Sequence, residues 1–207
     1  MAYMHSFSDS RRVGFLLSHV KLQRRDLTFT LELVYFPYQT SMGKTQRTSE
    51  GKLYMTMAIA VALHLVAAIV WVGGMFFAVF VLRPSAGALE PGDRLALWDR
   101  VFARFFPWVW ASIVLLLASG YFMIFVGRGG FENLPIYIHV MQGTGWLMML
   151  IYLHLWFVPY ARFKAALALG DGPVAAANLN KIRWIVTVNI ALGLINAIIG
   201  VSGKYWG

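Results

Sequence analysis

Apolar residues fall along this chain in four long runs, at about 57–82, 107–126, 136–158 and 184–202, and the stretches between them carry most of the charge. Each run approaches or exceeds the roughly 20 apolar residues that a helix needs to cross a hydrocarbon core about 30 Å thick. In lipid the backbone must satisfy its own hydrogen bonds, which a helix does within one segment. The pattern therefore predicts an all-α fold, an integral membrane four-helix bundle over residues 55–207. Residues 1–54 form an amino-terminal tail in which only "LTFTLELVYF" has a period, the alternation of a strand.

The polar stretches have order of their own. In "DRLALWDRVFARFFPW" the positions Leu95, Trp98, Val101, Phe102 and Phe105 repeat at helical spacing with charges between them. This predicts an amphipathic helix leading into the second span, with a kink at Pro107. After the third span, Gly170 reads as a helix stop and Pro173 as the first residue of the next helix. Helices 3 and 4 are thus expected to project beyond the bilayer as a hairpin.

Composition agrees with the pattern: 59% of the 207 residues are hydrophobic and 13% charged, which leaves no room for a separate soluble domain. Cysteine is absent, so disulfides, thiolate metal sites, a Cys nucleophile and covalently attached c-type haem are excluded. The net charge of +9 comes from cations beside the apolar runs and in the tail, which points to lipid head groups rather than nucleic acid.

Charge also orients the chain. Arg83, Arg94, Arg100 and Arg104 lie between runs 1 and 2, and Arg162, Lys164, Lys181 and Arg183 between runs 3 and 4, against Arg128 alone between runs 2 and 3. The first and third connections are therefore expected in the cytoplasm and the carboxyl terminus outside. The eight cations of residues 1–54 oppose this orientation, and no signal-peptide pattern removes them. A natural start at Met55 or Met57 is the expected resolution, with a real regulatory tail as the alternative.

Few polar groups lie inside the runs. Asn189, Gly193, Asn196 and Gly200, spaced four, three and four, stack on one stripe of the fourth helix and read as packing contacts or as support for a site. His64 and His139 each precede a tryptophan by seven residues, Trp71 and Trp146. This shared spacing suggests two pseudo-repeated hairpins, with both imidazoles near the outer face. His154, about 22 Å further along its helix than His139, is read as an interfacial residue. Ser112 and Ser119 have no Asp and His arrangement near them, no buried carboxylate pair exists and no phosphate loop is present, so enzymatic hydrolysis is not indicated.

The stretches "ALHLVAAIVWVGGMFF", the pair Arg83 and Pro84, "FFPWVWASIVLLLASGYFMIF" and "YIHVMQGTGW" resemble the CopD-like family of bacterial inner-membrane proteins, over about residues 57–205. The resemblance implies copper handling at or across that membrane. The layout is also similar to four-helix membrane protoporphyrinogen oxidases that bind b-type haem, which carry a His in helix 1 and His-x-Lys in helix 3. Here that tripeptide is His139, Val140 and Met141, without the lysine, so oxidase chemistry is not implied.

Three readings follow. A copper protein would bind the metal through His64 and His139 with thioethers from Met123, Met141 and Met55, in the soft-ligand chemistry of Cu(I), served by a periplasmic copper protein or by self-association. A haem b protein would use His64 and His139 axially, with Gly143 and Gly145 leaving room for the porphyrin. A structural subunit would keep both histidines as hydrogen-bonded packing residues.

Overall fold

The computed structural model describes residues 44–132 and 134–206, with side chains from residue 51. The strand-like "LTFTLELVYF" lies outside these residues. Within them the fold is all-helical without strands, and four helices are long and apolar enough to span a membrane: α1 (Gly51–Ala88), α2 (Pro91–Arg128), α3 (Ile136–Ala168) and α4 (Gly172–Tyr205). The backbone of α1 continues upstream to Lys44.

The ends of the helices follow from local chemistry. Gly129, at φ 74°, takes the left-handed conformation that closes α2, and the Gly130 N–H turns back to the Ile124 carbonyl at 3.2 Å. Gly170, at φ 70°, ends α3 as expected, with the Asp171 N–H donating to the Ala166 carbonyl at 2.9 Å. Asp171 then caps α4, its carboxylate accepting from the Val174 N–H at 3.0 Å, and Pro173 occupies the second helical position, where no N–H is required. The amphipathic segment and the second span form one helix of 38 residues that continues through Pro107. In α3, Pro159 lies in a wide π-type turn, Trp156–Tyr160, the kind of local rearrangement that accommodates a residue with no N–H to give.

At 1.5 Å per residue α2 is about 57 Å long, almost twice the hydrocarbon thickness. The excess is its charged first half, with Asp93, Arg94, Asp99, Arg100 and Arg104. The α3–α4 hairpin projects at the same end, and Lys164 of α3 pairs there with Asp99 of α2 at 2.9 Å.

Around the bundle, α4 packs beside α1, α2 and, most extensively, α3, and α2 also meets α1 and, through side chains, α3. The centre is aromatic. Trp71 of α1 meets Tyr152 of α3 edge-on at 6.2 Å, and Phe102 stacks on Phe106, whose ring stands perpendicular to Tyr160 at 4.8 Å. Outward positions of all four helices carry large apolar side chains, among them Ile69, Trp108, Phe157 and Ile198, the surface expected against lipid.

Candidate functional site

His64 turns from α1 toward α2 and is half-buried. Its Nδ1 lies 2.9 Å from the Ser119 Oγ, and its ring rests against Gly120, where an added Cβ would stand 3.4 Å from the His64 Cε1. The Ser119 hydroxyl donates its own proton to the Leu115 carbonyl one turn back. With that proton committed, the serine oxygen can accept from an Nδ1–H of His64. In that tautomer Nε2 carries the lone pair of an acceptor or metal ligand, and the Leu116 backbone also bonds the ring.

The same α1–α2 seam holds sulfur. Met57, two turns before His64, lays its methyl group over Gly127, where a Cβ would collide with it. Met123 is half-buried and lies four residues from Ser119 and four from Gly127, so it shares the α2 face that receives both His64 and Met57. Because the helices are antiparallel, His64, Met123 and Met57 follow one another along roughly 10 Å of seam.

The other candidates lie elsewhere. His139 is exposed, on the outward stripe of α3 formed by Ile136, Val140, Gly143, Leu147, Leu150 and His154. His64 is turned to the α1–α2 seam, whereas His139 is exposed on α3. Met141 lies between α3 and α4, where a Cβ on Gly200 would come within 2.9 Å of its Cε. Met55 is exposed, 65% of its surface being accessible. The shared histidine-to-tryptophan spacing also separates in three dimensions: Trp71 is buried in the core, whereas Trp146 is 44% exposed and donates its indole N–H to the Tyr121 Oη at 3.2 Å.

The α4 stripe serves packing. The Asn189 Nδ2 donates to the Met148 carbonyl at 3.3 Å, the Asn196 Oδ1 accepts from Thr144 at 2.6 Å, and Gly193 and Gly200 admit Val72, Met148 and Met141. Among the described residues no three His, Asp or Glu side chains gather as a metal site. Two members of that seam escape sequence reasoning. Ser119 shows no His near it in sequence, and Met57 reads as an initiator. Only the pairing of α1 with α2 reveals them, and the one signal available was the small Ser119-Gly120 step that lets an imidazole approach.

Residues 99–202, half of the chain, match the CopD family, described as copper resistance protein D. The chain belongs to the CopD family. The match runs from the charged start of α2 through α4 and includes Met123, His139 and Met141, while His64 and Met57 lie before it. No curated protein and no solved structure matches the chain. Family and helices together make this a multi-pass membrane protein related to copper resistance.

Proposed function

We propose that this CopD-family protein handles Cu(I), in transport or tolerance, through the α1–α2 seam at the end of the bundle remote from the basic connections. The observation that carries the reading is the His64 imidazole, held at Nδ1 by Ser119 on a seam that also contains Met123 and Met57. A single imidazole with thioethers is a soft set of the kind that favours Cu(I), and a bound cation gives an ionisable side chain in hydrocarbon a use. Copper here is cargo, and no catalytic step is assigned.

By the positive-inside rule the four basic residues on each of the first and third connections belong in the cytoplasm. The reading then places His64 near the outer face of a bacterial inner membrane, with the carboxyl terminus outside. A phosphatase active only outside the cytoplasm, fused after Gly207, is expected to be active.

The expected result of anaerobic Cu(I) titration on the purified full chain, against a competing chelator, is a stoichiometric site that His64→Ala weakens by at least about 100-fold. Ser119→Ala is expected to weaken it about tenfold, the usual effect of removing the group that orients a ligating histidine. His139→Ala and Met141→Leu are expected to leave it unchanged. A wild-type chain that takes up no Cu(I), or a His64→Ala variant that binds as well as wild type, overturns the reading. If His139→Ala abolishes the centre as completely as His64→Ala does, both imidazoles hold it together. A visible spectrum with a Soret band would then assign it to haem b.

A further inference from the structure

At the opposite end of the bundle a cavity of about 980 Å³ opens between α1, α2 and α4. Three arginines line it, Arg83 from the end of α1, Arg94 from the first turn of α2 and Arg183 from α4, and no Asp or Glu does. Among the described residues none of the three arginines forms an ion pair. Arg183 reaches only the Asn180 side-chain oxygen, at 3.1 Å, and Arg83 lies near enough to Arg183 to feel its charge. Converging like charges of this kind repel one another unless an anion sits between them.

Two further features raise the positive potential. The opening residues of two long helices, Pro91 and Gly92 of α2 and Gly172 and Pro173 of α4, also line the cavity, so the positive ends of both helix dipoles lie there, partly offset by Glu90, Asp93 and Asp171 at the same termini. The rest of the wall is apolar and aromatic, with Val79, Phe80, Trp98, Phe102, Leu179 and Val186. A free inorganic anion has no use for such a wall. An amphiphile with an anionic head and a hydrocarbon tail matches both halves.

We propose that this cavity is a binding site for an anionic phospholipid, its phosphate held by Arg83, Arg94 and Arg183 and the upper part of an acyl chain lying along Val79, Phe80 and Leu179. Arg83 and Arg183 stand at the ends of the apolar runs 57–82 and 184–202, where membrane spans meet the head groups. Basic pockets between helices at that level are the recognised setting for such lipids. Arginine suits the phosphate because its planar fork binds two oxygens at once. A lipid wedged there would also link the end of α1 to α2 and α4.

The test compares thermal unfolding and native mass spectra of the full chain in detergent with added phosphatidylglycerol, phosphatidylcholine or inorganic phosphate. Phosphatidylglycerol is expected to stay bound in the mass spectrum and to raise the unfolding temperature by several degrees, phosphatidylcholine and inorganic phosphate to do neither. Arg83→Gln with Arg183→Gln is expected to weaken phosphatidylglycerol binding about 30-fold, the worth of two arginines against an anionic lipid. Arg100→Gln with Arg104→Gln removes the same charge outside the cavity and is expected to leave binding intact. Equal binding of the two lipids overturns the proposal, as does equal loss in the two double variants. Stabilisation by inorganic phosphate alone assigns the site to a free anion and overturns the lipid. The wild-type comparison of lipids decides the matter even if the cavity variant fails to fold.

Discussion

At the basic end of the bundle Phe102 stacks on Phe106, Phe163 and Tyr160 stand edge-on against them, and Phe163 is fully buried. At the far end the helices meet through small and polar contacts instead: Thr144 on Asn196, Met141 on Gly200, Met57 on Gly127 and His64 on Ser119. The difference runs with the solvent expected at each end, although aromatic packing continues into the spans at Trp71, Trp110, Tyr152 and Trp156. Where the helices project into water, burying aromatic surface stabilises association, as in any soluble core. Inside hydrocarbon a leucine gains nothing by leaving lipid for another helix, so close approach at glycines and interhelical hydrogen bonds hold the bundle. The candidate copper site lies at the end held by the weaker contacts, and the proposed lipid site beside the end held by the stronger ones.

The contrast is most exposed to test at Phe102, which is buried against Phe106, Tyr160 and Phe163. Phe102→Ala is expected to cost about 3–5 kcal/mol, the usual range for deleting a core aromatic. Denaturant unfolding in mixed micelles measures it. A loss no larger than that of the polar variants would mean that the two ends are held by the same force.

Gly193 tests whether close approach matters in the lipid-embedded half. A Cβ there would stand 2.7 Å from the Val72 Cγ2 and 3.1 Å from the Met148 Cε. Gly193→Val is therefore expected to destabilise by about 1–3 kcal/mol through overpacking. Gly143→Val, at a position open to lipid, is the control, and equal effects at the two sites would remove the stripe's packing role.

The smallest effect is expected at the Thr144–Asn196 hydrogen bond. Interhelical hydrogen bonds in lipid average about 0.6 kcal/mol, so Thr144→Val should shift unfolding only slightly in the same assay. A loss of several kcal/mol would show that polar contacts dominate this end.

Much of the architecture is legible in the sequence because it depends on neighbouring residues. Run length sets the four spans, Gly170 and Pro173 mark the turn between α3 and α4, and the spacing of Leu95, Trp98 and Phe102 identifies the inward face of the projecting helix. The α4 stripe is also legible, since small residues at helical spacing have one evident use in lipid. The site was less so. His64 and His139 look equivalent along the chain, each in an apolar run and each seven residues before a tryptophan, yet one faces a seam and the other faces outward.

The sequence by itself determined that this is a four-helix membrane protein of the CopD family, where its turns fall and which end is basic, because run length, backbone chemistry and charge act locally. The rotation of each helix about its axis was decided only by tertiary structure. A span apolar on every face has no hydrophobic side to turn inward. Its orientation is set by what meets it across the interface: Ser119 and Gly120 receive His64, Gly200 receives Met141, and among the described residues no such partner draws His139 in.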